Sequence, residues 1–172
     1  MQKYTLSMRV IHWIMAILLI TLLAVGLWMT SLTQDDPSKG VIYGMHKSFG
    51  ILALIFVILR VANKMRSEVP AMPKEITYFY AKLSAGTVLL LYICMIAQPI
   101  SGFLMSDFSG YPVQFFGITL PSIVEKNAET GKLFAVLHGY IGFALIGLIA
   151  LHLAGSLKHY FSEKVNLLKR IW

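Results

Sequence analysis

The sequence predicts an all-α membrane protein, a four-helix transmembrane bundle with both chain ends on the inner side. Three observations lead there. Apolar residues make up 57% of the chain and charged residues 13%, against roughly 45–50% and about 25% in soluble domains; the mean hydropathy is +0.70. Four long apolar runs occupy about 10–32, 48–62, 83–105 and 133–157, and about 20 apolar residues cross a bilayer. The basic residues are also unevenly placed. With both ends inside, eleven of the fifteen fall on the inner side, and only Lys39, Lys47, Lys126 and Lys132 lie outside with five of the eight acidic residues. That is the positive-inside bias, and it sets the orientation.

Each element follows in order within one domain, residues 1–172. Helix 1 covers about 8–32. Its basic start resembles a signal peptide, but its apolar stretch exceeds the 7–15 residues of such a core, no A-x-A site follows cleanly, and it carries His12. It reads as a mature span. The polar turn TQDDPSKG returns the chain to helix 2, about 43–64, which reaches spanning length only by including His46. The inner connection MRSEVPAMPKE is basic and Pro-containing, as an exposed turn should be. Helix 3, about 79–105, contains Pro99, which frees a carbonyl and kinks the helix unless neighbours satisfy it. The longest loop, 106–131, carries GYPVQFFGITLPS and is expected to fold over the outer surface. Helix 4 covers about 132–160, and the tail SEKVNLLKRIW reads as a short amphipathic segment at the inner interface.

The net charge of +7 thus reports membrane topology, not a nucleic-acid partner. The single cysteine, Cys94, allows no disulfide within the chain, and no C-x-x-C-H motif for covalent haem attachment is present.

The chemistry lies in five histidines within or at the ends of these helices. Burying an imidazole in hydrocarbon is costly without a partner. The topology puts His46 and His138 at one depth near the outer side, and His12 and His152 at one depth nearer the inner side. His138 and His152 are fourteen residues apart, about 21 Å along a helix and four turns at ~3.5 residues per turn, so they share a face in a left-handed bundle. Two tiers of paired histidines suit two b-type haems, each iron taking an imidazole on either face. The simplest competitor, a histidine hydrogen-bonded to a neighbouring helix, accounts for one such residue more readily than for four in two tiers. Zinc prefers four convergent ligands, whereas these lie at two depths with no carboxylate in a helix core. That same lack weakens an ion-carrier reading.

Neighbouring residues fit a flat ligand. Gly50 and Gly142 each lie four residues after a histidine, and Gly155 and Ser156 lie three and four after His152. Small residues there leave room for a porphyrin; close helix contact explains any single one equally well. Lys47, Lys126 and Lys132, near the outer tier, read as interfacial anchors or as partners for propionates or small anions. His159, one heptad past His152, falls outside the apolar zone and reads as a solvated helix end or as a residue near a propionate or quinone. Trp13, Trp28 and Trp172 read as belt residues at the membrane surfaces.

The segments IHW (11–13), MHKSFG (45–50), QPISGFLMS (98–106), GYPVQFFG with the following LP (110–121), VLHGY (136–140), LHLAGSLKHYF (151–161) and NLLKR resemble the bacterial cytochrome b561 family over nearly the whole chain. The resemblance implies four helices and two non-covalent haems, with ligands falling on His12, His46, His138 and His152. Two departures stand out. Many relatives have a histidine four residues before the tyrosine matching Tyr92, where this chain has Val88, and many end helix 4 in a His-His pair, where it has His159-Tyr160. The second departure puts quinone handling at that end in question.

The expected function is therefore an inner-membrane dihaem cytochrome passing single electrons between a donor and the quinone pool. The resemblance to one branch of the family implies periplasmic superoxide as donor and ubiquinone as acceptor, with a redox protein as another candidate donor. The alternatives are a membrane-anchor relay subunit of a larger dehydrogenase or hydrogenase with no substrate of its own, and a haem-free metal carrier.

Overall fold

Every apolar run forms one unbroken helix. The computed structural model describes residues 2–172, with α1 (Leu6–Met29), α2 (Lys39–Arg66), α3 (Tyr78–Phe108), β1 (Gln114–Phe115), β2 (Ile118–Thr119), α4 (Ala128–Ser162) and α5 (Leu168–Ile171). Four of these helices are long and apolar enough to cross a membrane. The shortest of the four, α1 with 24 residues, is about 36 Å long at 1.5 Å per residue, enough for a hydrocarbon layer of about 30 Å. A helix satisfies its own backbone groups, which is why such segments cross lipid.

The helix ends are set by local polar chemistry. Thr5 Oγ1 accepts from the Met8 amide at 3.4 Å and caps α1. Asp36 Oδ1 accepts from both the amide and the hydroxyl of Ser38, at 2.8 and 2.6 Å, forming the turn from which α2 starts. The Ser38 hydroxyl bond is the main cause holding the Asp36 carboxyl below its ordinary value. Asn127 Oδ1 accepts from the Thr130 amide at 3.0 Å and caps α4. The helices therefore begin earlier than hydropathy suggests. α2 starts at Lys39, a turn before Tyr43, and α4 starts at Ala128, a turn before Lys132. Capping and hydrogen bonding carry a helix into the polar zone where apolarity has ended.

α3 runs unbroken through Pro99. The loop after it adds the one non-helical element among the described residues, an antiparallel ladder pairing Gln114 with Thr119 and Phe115 with Ile118. Its two turn residues, Phe116 and Gly117, have φ of 48° and 90°. This is the left-handed pair that a tight hairpin turn requires, and glycine at the second position relieves half of its cost. The hairpin is fastened to α2: Ser48 Oγ donates to the Gln114 carbonyl at 3.1 Å and accepts from the Phe116 amide at 3.0 Å. Phe116 also meets the Phe49 ring edge-on at 5.2 Å.

The opposite end of the bundle is closed by the tail. α5 packs on α1. The Tyr4 amide donates to the Arg170 carbonyl at 3.0 Å, and Trp13 Nε1 donates to the Ile171 carbonyl at 3.1 Å. Arg170 is 5% exposed. Its Nη2 donates to the carbonyls of Pro70 and Ala71 at 2.5 and 3.0 Å, tying the tail to the connection between α2 and α3. The tail is thus a clasp across one end of the bundle and not only an interfacial segment, and Trp13 and Trp172 form part of it, with ring centroids 5.4 Å apart.

Between the two ends, α1 packs on α2, α2 on α3, and α3 most extensively on α4. Phe108 stacks on Phe134 at 5.6 Å. At the same end, a Cβ added to Gly131 would meet Ser109 Oγ at 2.5 Å, so the α4 backbone lies directly against the end of α3. α4 packs closely on α3 alone. Toward α1 and α2 it faces a cleft, and the four sequence-matched histidines lie there.

Candidate functional site

His12 of α1 and His152 of α4 face each other across the cleft, with ring centroids 6.4 Å apart and planes at 63°. One level nearer the hairpin, His46 of α2 and His138 of α4 do the same at 6.4 Å and 83°. All four rings are half-buried. Two elements bring each pair together: α4 contributes one imidazole per tier, because residues 138 and 152 share a face, while α1 and α2 supply the opposing ones.

The spacing can be tested against a metal between the rings. An imidazole nitrogen lies roughly 1.1 Å from its ring centre and bonds a first-row metal at roughly 2.0–2.1 Å, so two axial imidazoles on one ion have centres roughly 6.2–6.4 Å apart. Both measured separations meet that value. The planes are free to differ in angle, since each ring can turn about its own metal–nitrogen axis. Neither tier offers a third protein ligand, and no group of three or more His, Cys, Asp or Glu able to hold a bare ion exists among the described residues. A square-planar chelate supplying its own four nitrogens fits two such imidazoles; a bare tetrahedral ion does not.

Hydrogen bonding sets up His138 for this role. Its Nδ1–H donates to the Gln98 carbonyl at 2.9 Å, with Ser101 Oγ 3.2 Å from the same nitrogen. Ser101 Oγ in turn donates to the Gln98 carbonyl at 2.8 Å. A ligating histidine commonly donates its second N–H to a carbonyl, which fixes the tautomer and leaves the Nε2 lone pair for metal. The Gln98 side-chain amide lies 3.3 Å from that Nε2, and its Oε1 is buried without a partner. His46 is less supported, its Nδ1 being buried with no hydrogen-bond partner.

Glycines make room for both outer-tier rings, and they sit on the helices opposite. A Cβ at Gly102 of α3 would lie 2.8 Å from His138 Cε1, and one at Gly26 of α1 would lie 3.2 Å from His46 Cε1. Gly50 has open space where its Cβ would stand. It lines an apolar cavity with an empty volume of about 550 Å³, counting the part open to the surroundings, together with Met15, Leu19, Ala53, His46 and His138. Gly142 faces the Gln98 amide, 3.3 Å from where its Cβ would be. Gly26, Gly102, Gln98 and Ser101 escape a reading based on spacing along one helix, because each acts across a helix interface. The glycine in QPISGF, three residues after a proline in an apolar span, was the available signal for Gly102.

His159 lies elsewhere. It is 4% exposed, so it is not a solvated helix end. Its Nδ1 is 3.1 Å from Glu163 Oε2, and its ring meets that of Tyr80 edge-on at 5.8 Å. Glu163 also pairs with Lys158. His159 thus belongs to the packing of the tail end, with the tail held back on it by the Val165 amide donating to the His159 carbonyl at 3.0 Å. Lys47 is half-buried beside His46 and makes no ion pair among the described residues. Lys126 lies along Gly110, its Cδ 2.9 Å from where a Cβ would be.

Four apolar spans enclosing facing imidazoles are the framework of a membrane cytochrome. Residues 3–172 match the family model described as prokaryotic cytochrome b561, and the chain belongs to that family, whose membership implies b-type haem and electron transport. Two proteins of Escherichia coli (strain K12) are similar to it. Cytochrome b561 homolog 2 is 28% identical over 171 residues, covering 99% of this chain and 91% of its own. Cytochrome b561 homolog 1 is 26% identical over 180 residues, covering 99% and 97%. A protein of Yersinia pestis named probable superoxide oxidase CybB is 25% identical over 176 residues, covering 99% and 96%. The chain is a multi-pass membrane protein of a prokaryotic family.

Proposed function

We propose that this chain is a dihaem cytochrome of the inner membrane that carries single electrons from a donor on the periplasmic side to ubiquinone. The observation that carries this reading is the pair of imidazole tiers, His46–His138 and His12–His152, each with ring centroids 6.4 Å apart. When bound, b-type haem would supply reversible one-electron chemistry. The chain's own residues do the rest. His12, His46, His138 and His152 hold the two groups; the Gln98 carbonyl and Ser101 orient His138; Gly26, Gly102 and Gly50 provide clearance; and the apolar lining keeps water away.

The positive-inside bias supports a hairpin end, with Lys47, on the periplasmic side and a tail clasp on the cytoplasmic side. Lys47, without an acidic partner among the described residues, suits an anionic donor arriving near the outer tier. The likeness to a protein named probable superoxide oxidase supports superoxide as that donor.

The test combines haem counting with kinetics. A pyridine-haemochrome assay is expected to give two haems per chain, falling to one in His12→Ala and in His46→Ala. If both variants keep two, the ligand assignment is wrong. Stopped-flow mixing of the oxidised protein with superoxide is expected to reduce the haem faster than background, with ubiquinone reoxidising it. Reduction no faster than background would instead favour a relay subunit that takes electrons only from a protein partner.

A further inference from the structure

The bundle half-buries two arginines, Arg9 and Arg60, whose charge no carboxylate among the described residues meets. Arg9 Nε and Arg60 Nη1 are both buried without a hydrogen-bond partner. Among the described residues, the only basic side chains in ion pairs are Lys158 and His159, and both pair with Glu163. An unpaired guanidinium at a membrane boundary is costly unless an anion reaches it.

The two arginines share one level. Ser7 Oγ and Asn63 are joined by bonds of 3.3 and 3.1 Å, locking α1 to α2 in antiparallel register. Counting from that lock, residue 9 on α1 lies almost opposite residue 60 on α2. Arg9 precedes His12 by three residues, so it stands on the same face one turn nearer the tail end. The orientation of Arg60 is fixed by Nε, which donates to Tyr92 Oη at 3.0 Å, leaving Nη1 free to serve another acceptor. His159, the residue considered from sequence for this neighbourhood, is committed to Glu163 and Tyr80.

We propose that Arg9 and Arg60 form a carboxylate-binding site that takes the propionates of the haem held by His12 and His152. This rests on the dihaem reading above. A guanidinium offers parallel N–H groups matched to a carboxylate, and the charge-assisted bonds are stronger than neutral ones. Arg9 and Arg60 would thus hold the propionates on the tail-end side of the His12–His152 tier. Two guanidinium charges beside the inner tier would favour the reduced state of a haem held there.

Purified holoprotein carrying Arg9→Gln, Arg60→Gln or Arg60→Lys would be compared with the parent, with the outer-tier haem as internal reference for folding. Each Gln variant is expected to release the inner-tier haem to an excess haem-scavenging protein at least tenfold faster. Its midpoint potential should fall while that of the outer tier holds. Arg60→Lys should retain the haem but shift the carboxylate bands in the redox-induced infrared difference spectrum, because the parallel N–H pair is lost. Unchanged release, potential and carboxylate bands in all three variants would overturn the site while leaving the dihaem reading intact. A parent without b-type haem would instead overturn both.

Discussion

Replacing Gly102 by alanine tests the outer tier with a single methyl group. The added Cβ would lie 2.8 Å from His138 Cε1, against 3.4 Å for the near edge of ordinary contact, so ring or helix must give by about 0.6 Å. Functional constellations tolerate roughly 0.5 Å of displacement. The ring cannot swing away freely, because Nδ1 is held by the Gln98 carbonyl at 2.9 Å. Over-packing costs about 1–3 kcal/mol and the loss of one hydrogen bond about 1 kcal/mol. Together these come to about 2–4 kcal/mol, or, on the proposed dihaem reading, roughly 30- to 700-fold in retention of the haem held by His46 and His138. Haem per chain and the rate of haem loss to a scavenger are the measurements, with the inner tier as internal control. Gly26→Ala, with 3.2 Å available beside His46, should be milder. A Gly102→Ala protein that keeps both haems at parental release rates would refute the reasoning.

Two further outcomes concern the tail end. Arg170→Ala removes two bonds from a buried guanidinium to the Pro70 and Ala71 carbonyls, and is expected to weaken the clasp by about 2–4 kcal/mol. Limited trypsin digestion should then cut faster at Lys74 in the freed connection, with cutting elsewhere little changed. The Glu163 carboxyl is held below its ordinary value of 4.5, chiefly by its bond to Lys158 and further by His159. Its folded form thus binds its proton less readily than its unfolded form. The stability it contributes is complete above pH 4.5 and disappears as pH falls through the lowered value. Thermal stability should decline over that acid range, and Glu163→Gln should remove part of the decline; an identical acid profile in the variant would contradict the pairing.

The four spans were legible because apolarity along a helix is a one-dimensional signal that lipid imposes without regard to partners. The pairing was legible for the same reason: counting along each span puts His46 level with His138 and His12 level with His152, the residues that face each other in the structure. What escaped depends on contacts between elements. Spacing along one helix pointed to Gly50 and Gly142, whereas the glycines in closest approach to imidazoles are Gly26 and Gly102 on facing helices. Ser48, only two residues from His46, reads as an ordinary helix residue until the hairpin of 114–119 bonds to its hydroxyl. Arg170 reads as an interfacial cation, since nothing in NLLKRIW indicates the carbonyls of residues 70 and 71 that it holds. His159 was placed by hydropathy at a wet boundary, and the aromatic ring of Tyr80 and the folded-back tail bury it instead.

Because α4 leans on α3 and faces α1 and α2 across the cleft, the two halves of the molecule are tied through the α2–α3 contact, the hairpin on Ser48 and the tail on α1. Whatever joins the opposed rings therefore also joins the halves. A group held between the facing rings would add braces at mid-bundle to those already present at the hairpin and tail ends.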